Sequence, residues 1–113
     1  RRVMAATIAV GARFPAYGTA AGRLLLAGEP QPDCVLLEGD PEPGVSTMAA
    51  PVRDRSGRVV AGAILAMHSG RMSPAAARRD LLPRLLAAVA RIEADLRITD
   101  PVPDAPPGTA TRR

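Results

Sequence analysis

A chain of 113 residues has room for one small domain, and a chain this short buries a smaller share of its surface than a domain of ordinary size. Its 47% hydrophobic content includes 22 alanines, and its only aromatics are Phe14 and Tyr17, so few bulky side chains remain to fill a core and the chain would gain from a partner surface. The formal charge of +4 comes from 15 arginines, with no lysine, against 11 acids; Arg1, Arg2, Arg112 and Arg113 sit at the ends and the interior sums to zero, which excludes a nucleic-acid-binding role for the domain itself.

Arginine without lysine beside so much alanine reads as a coding bias rather than a function. No apolar run reaches the roughly 18 residues of a membrane-spanning helix, so no membrane partner is expected. Cys34 is alone, which excludes a disulfide scaffold and reads as cytoplasmic. One cysteine and one histidine, His68, cannot supply the ligands of a structural zinc site. No cofactor is expected.

Arg1 and Arg2 ahead of the apolar stretch Val3–Ala12 have the order of a secretory signal. That stretch is short, β-branched in places and interrupted by Gly11 and Arg13, so a buried strand over Val3–Val10 is the favoured reading. Gly11 to Pro15 breaks the pattern. Thr19 then caps a short helix, Ala20–Ala27, ending near Gly28. Residues 28 to 44 contain Pro30, Pro32, Pro41 and Pro43, which exclude a helix but leave space for a brief strand over Cys34–Leu37.

Val45–Val52 and Arg58–Ala66 read as a hairpin, because Asp54 and Gly57 occupy the first and last positions of a type I turn. The second strand is apolar on both faces, as for a strand covered on both sides, and Gly62 marks a close approach by another element. Ser73-Pro74 starts a helix. Leu82, Leu85, Leu86, Val89, Ile92 and Leu96 then form one apolar stripe, with Arg84, Arg91, Glu93 and Asp95 on or near the polar side. Pro83 inside this pattern predicts a kink, or two helices meeting near Leu82. Residues 99–113 are proline-rich without an apolar pattern and read as a disordered tail. The element order is α+β, with helices against an antiparallel sheet.

No catalytic constellation is visible, and the chain is not expected to be an enzyme. His68 reads as a solvent-facing histidine on a loop leaving a strand. Cys34 has no basic sequence neighbour to lower its pKa and reads as a small, partly buried side chain. Glu38, Asp40 and Glu42 lack the spacing and closing bidentate Glu of a calcium loop and read as solvated. One segment is chemically suggestive. The small residues Ala20, Ala21 and Gly22 open a helix whose first amides are positive and unpaired, a place suited to a carboxylate, and Phe14 and Tyr17 could wall an apolar pocket beside it. The alternative is a well-capped helix on a sheet, with both aromatics as ordinary core.

Three stretches in order resemble the C-terminal effector-binding domain of IclR-type bacterial transcriptional regulators. Val10 to Ala27 is similar to the pattern G-x-R-x-P-x-x-x-T/S-x-x-G-R/K-x-L-L-A; Gly44 to Asp54, followed by Gly57 to Ala61, is similar to the family hairpin G-x-x-x-I-A-A-P-V-x-D-x-x-G-x-V-V-A-A; and Leu81 to Leu85 with Ala87 to Ile92 resembles its last helix. Arg13 to Tyr17 and His68 to Arg71 look most like the subgroup sensing aromatic-acid catabolites.

The resemblance implies a GAF-like antiparallel sheet flanked by helices and incomplete here, with residues 1–98 forming a partial effector-binding domain. It also implies a homo-oligomer and a small carboxylate effector, aromatic acids among them, held at the amides of Ala20 and Ala21, with Thr47, Ile64 and Ala66 as further pocket positions. DNA would be read only through a helix-turn-helix domain that these 113 residues do not contain. An effector-sensing domain predicts a closed cavity of a few hundred Å³ lined by Ala20, Thr47 and Ile64. The competing reading is a truncated, non-sensing remnant that only dimerises or modulates intact relatives, with the loop from Gly28 to Pro43 leaving the pocket open.

Overall fold

The computed structural model describes residues 9–28, 30–40 and 42–99. A 3-10 turn at Ala16–Gly18 leads into α1 (Ala20–Leu26), followed by β1 (Val35–Glu38), β2 (Val45–Arg53), β3 (Val59–His68), α2 (Pro74–Asp80) and α3 (Leu82–Thr99). The strand expected over Val3–Val10 lies outside the described residues except for Ala9 and Val10, which are not in a strand. The expected tail also lies outside them, except for Thr99 at the end of α3.

The strands form one antiparallel sheet in the order β1-β2-β3. Alternation along β2 sends Met48, Ala50 and Val52 to one face, where they meet Cys34, Ala77, Leu85 and Val89 in a core beneath α2 and α3. Thr47 and Ala49 point to the other face, where Ala49 packs with Ala20 and Leu24 of α1, flanked by Val35 and Leu37. Leu24 and Met48 are fully buried, one on each side of the sheet.

Local chemistry accounts for the element ends. Thr19 Oγ1 accepts from the Gly22 amide at 2.9 Å, and α1 stops at Leu26, where Ala27 turns extended. Ser73 Oγ accepts from the Ala76 amide at 3.1 Å with Pro74 opening α2. The amide of Gly57 donates to the carbonyl of Asp54 at 2.9 Å, closing the hairpin turn anticipated from the sequence. Pro83 falls in the first turn of α3, where its missing N–H costs nothing, so α2 and α3 meet at Leu81 as the proline predicted. The strand expected over Cys34–Leu37 is shifted by one residue to Val35–Glu38.

Two burial expectations are corrected. Among the described residues β3 is not covered on both faces: it is the last strand in the order β1-β2-β3, and Val60 and Ile64 are about half exposed, at 51% and 47%. Among the described residues the stripe on α3 is only partly covered, because a three-stranded sheet meets one side of the helix; Leu85 and Val89 are buried, whereas Leu86 and Ile92 remain exposed. Glu93, expected near the polar side, instead anchors α3: its Oε2 accepts from the Arg53 amide at 2.8 Å.

Candidate effector groove

A groove of about 390 Å³ lies between α1 and the sheet. Its floor is formed by Thr47 on β2 and by Ile64 and Ala66 on β3; Thr19, Ala21 and Gly22 form the helical wall; Phe14 and Ala16 approach from the preceding turn, and Asp40 lies at the polar end. The floor follows from register. Thr47 pairs with Ala66 and Ala49 with Ile64, so these side chains share the face beneath α1.

Two glycines set how closely α1 approaches. A Cβ on Gly22 would stand 2.0 Å from the carbonyl oxygen of Ala16, so the turn before the helix can fold against it only because that atom is absent. A Cβ on Gly62 would meet the side chains of Leu24 and Ala21 at 3.4 and 3.5 Å, the close approach expected at that position.

The polar end departs from expectation. Asp40 is not solvated but only 4% exposed, and its Oδ2 accepts from the Ala20 amide at 2.7 Å and from the Thr47 hydroxyl at 2.5 Å. The loop presents it there because the amides of Gly39 and Asp40 both donate to the carbonyl of Val45, at 2.7 and 3.1 Å. The Ala20 amide assigned to a ligand carboxylate is therefore already bonded to a carboxylate of the same chain. Among the described residues, nothing accepts from the Ala21 amide.

Of the residues anticipated for the pocket, Phe14, Ala21, Thr47, Ile64 and Ala66 come together in the groove. Ala20 lies fully buried under the helix and does not line it. Tyr17 also stands apart, 71% exposed, with its carbonyl accepting from Arg23 Nε at 2.6 Å. Among the described residues no closed cavity is formed there: the groove opens to solvent, with Phe14 and Ile64 half exposed on its walls. Asp40 is the member that sequence reasoning missed. Its distance from Ala20 in the chain gives no local signal, although its place just ahead of β2 sets it beside the start of the sheet.

The opposite face carries a smaller cavity of about 270 Å³, lined by Glu38, Ser46, His68 and Arg78 among others. His68 is not on a loop: it ends β3, paired with Val45 and half-buried. Burial raises the pKa of the Cys34 thiol; Arg78, distant in sequence, opposes this and Asp33 adds to it. Among the described residues no three His, Cys, Asp or Glu side chains are grouped to hold a metal ion, and no helix is long and apolar enough to cross a membrane.

No protein-family model matches this chain, and no curated protein matches its sequence. Solved structures do match. A protein of Rhodococcus sp. RHA1 described as a transcriptional regulator is 28% identical with a TM-score of 0.75, over 87% of this chain and 54% of its own. The inducer-binding domain of the transcription factor PobR from Acinetobacter, a double mutant in complex with 3-hydroxybenzoic acid, is 20% identical with a TM-score of 0.60, over 81% of this chain and 72% of its own. A second Rhodococcus protein, described as an IclR-family transcriptional regulator, is 22% identical with a TM-score of 0.60, over 81% of this chain and 47% of its own. The chain thus spans about half the length of the two Rhodococcus proteins. Its three-stranded sheet and flanking helices are the fold of the C-terminal, inducer-binding domains of IclR-type transcriptional regulators.

Proposed function

We propose that this chain is the effector-binding part of a one-component transcriptional regulator, taking a small organic molecule into the groove between α1 and the sheet. The observation that carries this reading is the groove itself: an apolar floor and wall from three elements, ending at one buried polar pair, Asp40 and Thr47. Its size suits a single-ring compound. An acid, the effector class anticipated from the sequence, has the Ala21 amide left to meet it, since Asp40 holds that of Ala20.

In this reading the chain works in the cytoplasm, and DNA is contacted by a helix-turn-helix domain of the same regulator. The chain associates with a second copy. The edge of β3 that no described strand pairs with, and the exposed Val60, Leu86 and Ile92, are surfaces that self-association would cover. A second reading, a remnant that dimerises without sensing, is favoured by the groove's openness.

A ligand screen of the intact chain by methyl NMR separates the two. Compounds that bind should shift Ala21, Thr47, Ile64 and Ala66 together. Failure of every small molecule to perturb these methyls, with dimerisation retained, favours the remnant.

A further inference from the structure

The cavity of about 270 Å³ on the opposite face of the sheet is built by strand register. Glu38 pairs with Ser46 and Ser46 with Met67, so one cross-strand row runs over β1, β2 and β3. Alternation sets this row on the side of Met48, where it continues the core beneath α2 and α3. Met67 and the buried Ala77 of α2 supply apolar lining, whereas Glu38, His68 and Arg78 supply polar lining. Groups of opposite charge therefore face one small space from different elements, Glu38 from β1 and Arg78 from α2. No ion pair joins these two residues; the arginine paired on α2 is Arg79, with Asp80. Arg78 offers a planar fork of N–H donors that matches a carboxylate, and Glu38 offers acceptors that match an ammonium. A ligand with one charge leaves one of these groups unmatched; a ligand with both, on neighbouring carbons, meets each.

We propose that this cavity is a second ligand site, taking a free α-amino acid with a short apolar side chain. Its carboxylate meets the Arg78 guanidinium, its ammonium meets Glu38, and its side chain lies against Met67 and Ala77. The volume, just under the roughly 300–1,000 Å³ of drug-sized sites, limits the ligand to a small body. The site is independent of the groove, since the two lie on opposite faces of the sheet and share no lining residue. It is also the smaller, and Glu38 and Arg78 are exposed, so the amino acid binds more weakly than the ligand of the groove and acts as a second input.

The test is a methyl NMR titration of the full chain with L-valine, isobutylamine and 3-methylbutanoate. The three share one branched body and carry both charges, the ammonium alone and the carboxylate alone. L-Valine should shift the methyls of Met67 and Ala77, leave those of Ile64 and Ala66 in the groove unmoved, and bind about fivefold tighter than either analogue. Arg78→Gln and Glu38→Gln, both at exposed positions, should each weaken L-valine about fivefold. The first should leave isobutylamine unchanged, and the second should leave 3-methylbutanoate unchanged. L-Valine that binds no tighter than its analogues, that moves the groove methyls instead of Met67 and Ala77, or that binds both variants as it binds the parent overturns the proposal. Each of these outcomes leaves the reading of the groove to its own screen.

Discussion

The Oδ2 of Asp40 lies 2.7 Å from the backbone nitrogen of Ala20, twenty residues earlier in the chain, and this bond ties the loop before β2 to the start of α1. A helix of seven residues is too short to hold itself, so α1 depends on such ties and on its packing. The same contact fixes one end of the groove. Helix, loop and groove are therefore coupled, and their perturbations should be felt together.

Gly22→Ala should disrupt the turn before α1, because the new methyl would fall 2.0 Å from the Ala16 oxygen. A loss of about 1–3 kcal/mol is expected from overpacking of this kind, together with displacement of Phe14 from the groove. Urea unfolding checks the first, and the Phe14 ring resonances check the second. Unchanged stability would mean that the turn packs differently.

Leu24→Ala should cost about 2–5 kcal/mol, the range for emptying a fully buried leucine. Because Leu24 fastens α1 to the sheet beside Gly62, the variant should also broaden the Ala21 and Ile64 resonances while leaving the α3 face intact. Equal perturbation on both faces would show that the sheet does not separate the two clusters.

Glu93→Ala removes the acceptor for the Arg53 amide and should lower stability by about 1–2 kcal/mol, with Glu93→Gln largely restoring it. Amide exchange at Arg53 is the direct readout: it should accelerate in the alanine variant and recover in the glutamine variant.

Asp54 organises the hairpin turn, its Oδ1 accepting from the Ser56 hydroxyl and from the amides of Ser56 and Arg58. The Ser56 hydroxyl bond, more than any other contact, holds its pKa below the ordinary carboxylate value. A depressed folded pKa means that the charged form supports folding. Its contribution is complete above the unfolded Asp pKa and fades as pH falls through the folded one. Asp54→Asn should therefore be less stable than the parent at neutral pH, the two converging in acid. A gap that widens on acidification would reverse the assignment.

Cys34 should react slowly with thiol reagents at neutral pH, since burial raises its pKa and it is 8% exposed. Denaturant should release full reactivity. Rapid labelling of the folded chain would show that the core around Met48 and Leu85 opens readily.

The parts of the fold legible in the sequence were those set by local chemistry. Thr19 and Ser73 act through their own hydroxyls within three residues, Asp54 and Gly57 close a four-residue turn, and Pro83 divides two helices. Thr47 is implied by the family resemblance rather than by local pattern, and the structure has it on the floor of the groove. What local pattern did not carry were long-range placements. The Asp40 contact spans twenty residues, and Glu38, Asp40 and Glu42 look alike in a proline-rich segment although only Asp40 turns inward. The apolar character of β3 points to burial, but its place at the end of the strand order among the described residues is a matter of strand pairing, which alternation does not encode. Tyr17 failed for a related reason: the turn holding it uses its carbonyl and directs the ring to solvent.

The most direct test of the groove as an effector site is the placement of a bound ligand by intermolecular NOEs, starting from the tightest ligand found in the screen. The account predicts contacts from the ligand ring to the methyls of Ile64, Ala66 and Ala21, with none to Met67 or Leu65 on the opposite face of β3. A ligand whose contacts fall on Met67, Met72 and Ala77, beside His68 and Arg78, would contradict it and assign sensing to the other side of the sheet.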